Sequence, residues 1–110
     1  MKYEVHITDR AEKDLMAAAD YIEFILLNPK AAEDLLDEAG KMIGELSDFP
    51  ERAPLIDDSV LKAWGMRFIA IKNYLAFYMV SREEHRVYVI RFLYKKRDWI
   101  GILKQEVSIP

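Results

Sequence analysis

The stretch GMRFIAIKNYLAFYMVSREEHRVYVIRFLY, residues 65–94, decides the fold of this 110-residue chain. β-Branched and aromatic residues dominate three segments of it, which are Met66–Lys72, Tyr74–Val80 and Arg86–Tyr94. Short polar turns separate these segments, around Lys72–Asn73 and Ser81–His85. Apolar runs of strand length joined by such turns are typical of antiparallel strands that follow one another along the chain. We therefore predict a three-stranded antiparallel meander.

Upstream of the meander, apolar residues recur every three or four positions and predict two helices. Thr8 or Asp9 caps the first helix, because their side-chain oxygens can accept the first free backbone N–H groups. Asn28–Pro29 ends this helix and begins the next, since proline is tolerated at the first helical position. We expect an antiparallel helical hairpin. Gly40 and Gly44 lie four residues apart in the second helix, and we interpret them as positions of close backbone packing.

The remaining segments complete a β-α-α-β-β-β order. Weak alternation over Tyr3–Thr8 predicts a half-buried first strand, and Phe49–Ala63 has the composition of a loop. Arg97–Leu103 predicts a short C-terminal helical turn. We predict an α+β fold with two layers, in which the helical hairpin packs on one face of a mainly antiparallel sheet. Strand residues 68–71 are apolar on both faces, so the second face is expected to be open until the tail or a partner covers it.

The composition excludes a disulfide-stabilised scaffold and a disordered or collagen-like chain. The chain is 52% hydrophobic and 32% charged, and it contains no cysteine. A single domain over residues 1–110 buries about two thirds of its unfolded surface, which is enough for a core without disulfides or a metal. The lack of cysteine is typical of a reducing compartment, and we see neither a signal peptide nor an apolar run of membrane-spanning length. We therefore expect a cytoplasmic protein without membrane contact.

The net charge of −3 conceals an uneven distribution. Residues 1–50 carry 5 basic and 12 acidic side chains, whereas residues 51–110 carry 11 basic and 7 acidic ones. From Met66 to Lys104 the counts are 9 basic and 3 acidic. Solvated charges distributed by chance explain this imbalance as well as a binding surface does. If the basic half binds a ligand, that ligand is anionic.

Four segments of the sequence carry a family resemblance. They are YEVHITDRAEKDL at 3–15, NPKAAEDLLDEAGKMIGEL at 28–46, FPERAPL at 49–55, and GMRFIAIKNYLAFYMV running on to VYVIRFLYKKRDW. In this order they span nearly the whole chain and resemble the RelE/ParE family of toxins from bacterial type II toxin–antitoxin pairs, also described as plasmid stabilisation proteins. The resemblance implies the fold predicted above and a small protein that arrests growth once its antitoxin is degraded.

The resemblance also implies two mechanisms of toxicity that share one fold. RelE-like members cleave mRNA in the ribosomal A site, whereas ParE-like members poison DNA gyrase. In both groups a segment of the antitoxin wraps the sheet and helices of the toxin, and operator DNA is bound only through the antitoxin. The chain is an enzyme, a metal-independent endoribonuclease, only if it is RelE-like. A third interpretation is a non-toxic module that only binds an antitoxin.

Metal-free RNA cleavage defines the candidate catalytic residues. Attack by the 2′-hydroxyl needs a base, cations that hold the phosphate, and an acid that protonates the 5′-oxygen. For a RelE-like reaction the candidates are Arg67, Arg91, Tyr94 and Lys95. The candidates for binding a nucleic acid or a partner are Arg67, Arg91, Lys95, Lys96, Arg97 and Trp99. We expect no cofactor and no metal, because acidic and histidine residues do not follow a ligand spacing.

Several of these candidates have a structural alternative. Arg91 interrupts an apolar strand, so it either pairs with a carboxylate of the helices or tail, or lies on the open sheet face and binds an anion. Arg67 is either an exposed charge at the end of a strand or a second phosphate clamp. Tyr94 either packs against the C-terminal segment or serves as an acid, a base or a stacking platform. Lys95–Arg97, taken alone, is typical of a solvated turn.

One position departs from the nuclease pattern. RelE-like nucleases carry an arginine directly after the tyrosine of the second meander strand, whereas Leu75 follows Tyr74 here. Leucine cannot stabilise a phosphate, so one electrostatic contribution to that site is missing. We therefore slightly favour ParE-like action on gyrase, with ribosome-dependent mRNA cleavage as the alternative.

Overall fold

The computed structural model describes residues 2–107, with side chains as far as Gln105. Four strands lie where the sequence predicts them, and they are β1 (Glu4–Ile7), β2 (Arg67–Ile71), β3 (Tyr74–Ser81) and β4 (Arg86–Tyr94). The end of the predicted C-terminal tail, residues 108–110, lies outside the described residues.

The strands form one sheet in the order β1-β4-β3-β2. β2, β3 and β4 are antiparallel neighbours, and β1 pairs in parallel with β4. The predicted α+β class with a mainly antiparallel sheet is thereby confirmed. The pairing of β3 with β4 contains a bulge, because Phe77 lies opposite Arg91 whereas Tyr78 lies opposite Val89. Ile90 is the extra residue, so the side chains of β4 change their alternation at this point.

Two long helices follow β1 and form the predicted hairpin. α1 (Asp9–Asp20) begins at Thr8, whose hydroxyl accepts a backbone N–H of the first turn, and it continues into a π-helical turn, Tyr21–Ile25. α2 (Pro29–Gly44) begins at Asn28, whose side-chain oxygen caps it in the same way. Both caps agree with the sequence prediction. None of the helices in the described part of the chain is long and apolar enough to cross a membrane.

The interpretation of Gly40 and Gly44 as close-packing positions is wrong. Both residues lie on the exposed side of α2, and a β-carbon added at either would meet no atom within 4 Å. Their lack of a side chain therefore serves no packing purpose in this structure.

The helical hairpin packs on one sheet face and forms with it what we call the first core. Its buried members come from both helices and from every strand except β1, and they include Ala11, Leu35, Ala39, Ile43, Ile69, Ile71, Ala76, Tyr78, Val87, Val89 and Phe92. Small residues on α1 and α2 allow the helices to approach the bulkier side chains of the sheet. The position of the hairpin agrees with the prediction.

The opposite sheet face is covered by the chain itself, which corrects two predictions. The segment 49–63 is not all loop, since it contains the short helix α3 (Ser59–Ala63). The C-terminal element is the nine-residue helix α4 (Trp99–Val107), not a single turn. Together with the sheet they form a second core, whose buried members are Ile56, Leu61, Met66, Leu75, Phe77, Leu93 and Leu103. This sheet face is therefore covered by α3 and by the C-terminal helix, which agrees with the first of the two predicted alternatives, the tail or a partner.

The two helices of the second core are joined by one carboxylate. Asp58 caps α3 by accepting the Leu61 backbone N–H at 3.1 Å, and it also accepts Lys104 Nζ of α4 at 3.1 Å. The Leu61 N–H and then Lys104 lower the pKa of Asp58. Asp58 thus holds α4 against α3 as an ionised group.

Strand β3 contributes to both cores. Ala76 and Tyr78 belong to the first core, whereas Leu75 and Phe77 belong to the second. This alternation follows from the two-residue period of a strand. It explains why Tyr74–Ser81 is almost entirely apolar.

Candidate functional site

Arg91 of β4 is paired with a helix carboxylate. Its side chain is only 4% exposed, and its Nε and Nη2 atoms lie 2.6 Å and 3.2 Å from the two carboxylate oxygens of Asp14 on α1. A bidentate contact of this kind is among the stronger ion pairs in proteins. The expectation that Arg91 pairs with a carboxylate of the helices is confirmed, and its placement on an open sheet face is wrong.

Asp14 also protects the edge of β4 beyond the end of the short strand β1. The Phe92 backbone N–H donates to Asp14 Oδ2 at 3.1 Å, and the Ile90 carbonyl accepts the Thr8 hydroxyl at 3.2 Å. The Tyr94 carbonyl accepts a backbone N–H from the following turn. These edge groups, which a further strand would need for pairing, are therefore already bonded.

Arg67, at the start of β2, fastens the 49–63 segment to the sheet. Its Nη1 donates to the Ala53 carbonyl, and its Nη2 lies 3.7 Å from Glu51. Leu55 forms a backbone bridge with Arg67. Since its side chain is only 16% exposed, the interpretation of Arg67 as an exposed charge at the end of a strand is wrong. Its role as a second phosphate clamp stays a prediction.

Tyr94 lies at a cavity between the hairpin and the sheet, which we call the tyrosine cleft. The cleft has a volume of about 700 Å³. The helical hairpin, the β2–β3 turn and the end of β4 line it. The lining residues include Tyr21, Leu26, Asn28, Lys72, Tyr74 and Tyr94. The Tyr74 ring stacks on Phe92 and meets Tyr94 edge-on, with ring centres 5.5 Å apart. Tyr94 therefore packs against Tyr74 of β3.

Tyr74 is half-buried in this cleft, and its pKa lies above the ordinary value of a tyrosine. Burial raises the pKa of Tyr74, and the neighbouring phenols of Tyr94 and Tyr21 raise it further. A phenol with a raised pKa is a hydrogen-bond donor at neutral pH and a poor general base. Tyr74 is therefore a poor candidate for a general base in this cleft.

Beside the cleft, the turn between the two long helices exposes large apolar side chains. We define the hairpin tip as Tyr21–Leu27. Five of its seven side chains are 52–79% exposed, namely Tyr21, Phe24, Ile25, Leu26 and Leu27. Leu27 has a φ of 54°, in the left-handed region that costs a residue with a side chain roughly 1–2 kcal/mol. The hairpin tip is therefore an exposed apolar surface outside the sheet.

Lys95–Arg97 form an exposed basic turn directly after β4. The Lys95 N–H donates to the Asn73 carbonyl at 2.9 Å, which fixes the basic turn beside the rim of the tyrosine cleft. Trp99 follows at the start of α4, and its ring packs against Phe68 and Phe77 in the second core. The structure thus brings Tyr94 and the basic turn together, whereas the Trp99 ring is engaged elsewhere.

The four candidate catalytic residues do not converge on one point. Arg67 lies opposite Tyr78, whereas Tyr94 lies opposite Tyr74. These positions on β3 are about 13 Å apart at the rise of an extended strand. Of the four candidates, only Tyr94 and Lys95 are exposed. Nor do any three His, Cys, Asp or Glu side chains of the described residues form a group that could hold a metal ion.

A family model for the ParE toxin of type II toxin–antitoxin systems (parDE) matches residues 5–99. The chain belongs to the ParE toxin family. This confirms the resemblance to RelE/ParE toxins seen in its sequence. No curated protein sequence gives a significant match.

Solved structures share the fold of this ParE-family chain. A structure of the chromosomal ParDE toxin–antitoxin system from P. aeruginosa superposes with a TM-score of 0.68 at 15% identity, covering 84% of this chain and 96% of that one. The RelBE2 toxin–antitoxin complex from Mycobacterium tuberculosis gives a TM-score of 0.58 at 21% identity, covering 86% and 99%. At these identities the likeness is one of fold.

The position that carries an arginine in RelE-like nucleases lies inside this ParE-family chain. Leu75 is buried in the second core with Leu93 and Leu103. α4 contributes Leu103 to the same core. The leucine is therefore a packing residue, and the structure gives no surface at this position on which a phosphate could be bound.

Sequence reasoning missed two features of this ParE-family chain. The hairpin tip had a signal, since YIEFILL at 21–27 has six apolar residues in seven, more than one helical stripe can bury. The sequence contains no signal that identifies Asp14 as the partner of Arg91, because the two residues are 77 positions apart.

Proposed function

We propose that this ParE-family toxin inhibits growth by acting on DNA gyrase, and that a cognate antitoxin neutralises it. The observation that carries the gyrase part is the engagement of both candidate arginines inside the fold. Arg91 is held by Asp14, and Arg67 is held by Glu51 and the Ala53 carbonyl. Neither cation is available to a phosphate, and membership of the ParE family supports the same mechanism.

The energetics of the Arg91 pair strengthen this proposal. Withdrawing Arg91 to bind RNA would leave the Asp14 carboxylate without its main partner in a site that is only 13% exposed. Breaking a buried ion pair in this way costs roughly 3–5 kcal/mol. An RNA phosphate would have to supply that free energy before it gained any net affinity.

Ribosome-dependent mRNA cleavage is the second candidate function, and one observation favours it. Tyr94 is exposed next to the basic turn, where a phenol and two lysines are adjacent. A phenol can protonate a leaving oxygen, and lysines can bind phosphates. This arrangement gives the alternative a specific set of residues to test.

The toxin role is tested by expressing the chain without an antitoxin in a bacterial host. Growth should stop within a few generations of induction, and co-expression of the antitoxin encoded beside the gene should restore it. Unimpaired growth, with soluble protein confirmed on a gel, would contradict toxicity and favour a module that only binds an antitoxin.

The target is tested with purified protein in two assays. We expect inhibition of gyrase supercoiling and intact mRNA on translating ribosomes, read by primer extension. Tyr94→Phe and Lys95→Ala are the matched variants, since both positions are exposed and neither change disturbs a core. Codon-positioned mRNA cuts that disappear in either variant, together with unaffected supercoiling, would overturn the gyrase proposal.

A further inference from the structure

Two neighbouring turns at one corner of the sheet present four exposed cations. Lys72 lies in the turn between β2 and β3, and Lys95–Arg97 form the basic turn after β4. The Lys95 N–H donates to the Asn73 carbonyl at 2.9 Å and so joins the two turns. We call Lys72 and Lys95–Arg97 the cationic corner. The sheet thus gathers on one surface basic residues from two separate parts of the chain.

The protein itself does not neutralise these cations. In the part of the chain that the structure describes, none of the four forms an ion pair. Two acidic residues beside the corner have other partners. Asp98 accepts the Gly101 N–H at 3.2 Å, and Asp34, which interacts electrostatically with Lys72, pairs with Lys30 at 2.8 Å. The corner therefore keeps a local positive charge although the chain has a net charge of −3.

The backbone of the corner is fixed before any ligand binds. The Arg97 N–H donates to the Tyr94 carbonyl at 3.0 Å, and the Trp99 N–H donates to the Arg97 carbonyl at 2.8 Å. The Trp99 ring packs in the second core and anchors the end of the turn. An ordered backbone lowers the entropy cost of binding a ligand.

Lys72 adopts a conformation that is unfavourable for lysine. Its φ of 54° lies in the left-handed region, which glycine adopts with less strain. The chain therefore keeps this cation at a conformational cost, and residues strained in this way cluster at functional sites.

The composition of the corner favours a phosphate backbone over a protein as its ligand. Lysine is depleted at interfaces between proteins, whereas interfaces with DNA are polar and strongly basic. Lysine binds phosphates as a point charge. DNA gyrase, the proposed target, acts on double-stranded DNA, so a phosphate backbone is present where the toxin acts.

We propose that the cationic corner binds the phosphate backbone of the double-stranded DNA that gyrase holds, so that the toxin contacts the enzyme and its substrate together. The inference rests on the proposed function for the choice of gyrase. It adds DNA as a second ligand and orients the toxin with the carboxyl ends of β2 and β4 toward the duplex.

This contact should operate only in the presence of gyrase. The net charge of −3 repels DNA from the isolated chain, so four cations alone bind it weakly. A toxin bound to gyrase meets the DNA at a high effective concentration, and even a weak contact then adds to the overall affinity. The corner is therefore expected to strengthen binding to the gyrase–DNA complex specifically.

The DNA contact is tested by biolayer interferometry with the full-length chain and gyrase holoenzyme, alone or loaded with a linear duplex. The wild type should bind the gyrase–DNA complex about tenfold more tightly than gyrase alone. Lys95→Glu/Lys96→Glu should remove this difference and leave Kd for gyrase alone within about twofold. The matched control, Lys41→Glu/Lys62→Glu, changes the net charge equally at exposed positions outside the corner and should keep the difference. Thermal melts confirm that each variant is folded.

Salt dependence gives a second measurement of the same contact. Four phosphate contacts predict that the logarithm of the DNA-dependent gain in affinity falls with the logarithm of the salt concentration with a slope of about −3 to −4. Lys96→Ala removes one contact and should reduce the size of this slope by about 1. An unchanged slope would contradict a phosphate contact at Lys96.

The outcomes separate this inference from the proposed function. If the wild type inhibits supercoiling but binds gyrase equally well with and without DNA, or if the charge reversal keeps the difference, the inference is wrong and the gyrase role stands. If Lys95→Glu/Lys96→Glu weakens binding to gyrase without DNA, the corner contacts protein and the inference is also wrong. If the wild type neither binds gyrase nor inhibits supercoiling, both fail.

Discussion

At the scale of single residues, Asp14 has the largest structural role that the sequence does not reveal. It is one acidic residue among several on α1, yet it binds Arg91 and the Phe92 N–H at the same time. A helix side chain here replaces the strand that would otherwise cover this edge of the sheet.

We expect Asp14→Asn to lower the free energy of unfolding by roughly 3 kcal/mol, because it leaves the Arg91 charge buried without its carboxylate. Urea denaturation followed by circular dichroism measures this change. The matched control is Asp34→Asn, which breaks the exposed Lys30–Asp34 pair on α2 and should have a much smaller effect. Equal effects of the two substitutions would show that the Asp14 pair is no stronger than a surface pair.

Tyr78 is the residue from which we predict an alkaline pH dependence. It is fully buried in the first core, and burial raises its pKa. Because the neutral phenol is favoured in the fold, stability is complete below the pKa of an unfolded tyrosine, about 10, and is lost as the pH rises above it. Tyr78→Phe should make this alkaline loss shallower. Thermal melts across this range measure it, and an unchanged slope would contradict the prediction.

At the scale of elements, α2 carries a substitution that should increase stability. Gly40 lies in the helix interior with open space around it, so Gly40→Ala should add about 1 kcal/mol to the free energy of unfolding. Gly65 is the opposing control, since its φ of 79° disfavours any side chain and Gly65→Ala should be destabilising. Guanidinium denaturation compares the two. A loss of stability in Gly40→Ala would contradict the prediction and would indicate that Gly40 is needed for packing.

The sequence predicts long elements well and short ones poorly. α1 and α2 have caps and several turns of apolar periodicity, and each meander strand has a continuous run of β-branched and aromatic residues. α3 has five residues, which is too short for a helical period to show. The hydrogen bonds of Asp58 to Leu61 and Lys104 that hold α3 and α4 together depend on the tertiary fold. The second core was therefore not predictable from periodicity.

The candidate site was predictable only in part, because some of its contacts also depend on the tertiary fold. Tyr94 and the basic turn are neighbours in sequence, so composition alone places them together. Arg67 and Arg91 are single charges in apolar strands, a pattern that fits a buried ion pair as well as a ligand contact. Their partners lie at least 14 positions away along the chain, and only the folded structure identifies them.

At the scale of the whole molecule, the structure shows where the acidic and basic side chains of the two halves lie. Asp14 of the acidic first half is neutralised internally by Arg91. The basic turn of the second half stays in solvent beside the apolar surface of the hairpin. The net charge of −3 therefore says little about the local charge of the surface, which is positive at the basic turn.

The sharing of β3 between two cores has a consequence for how the molecule unfolds. Opening either layer exposes the apolar side chains that β3 presents on that face, so we expect one cooperative transition and no intermediate with a single layer intact. Both tryptophans, Trp64 and Trp99, pack against the second core, whereas the long helices α1 and α2 belong to the first. Tryptophan fluorescence and far-ultraviolet circular dichroism therefore report on different layers. Their denaturation midpoints should coincide, and an earlier fluorescence transition would mean that α3 and α4 detach as a separate unit.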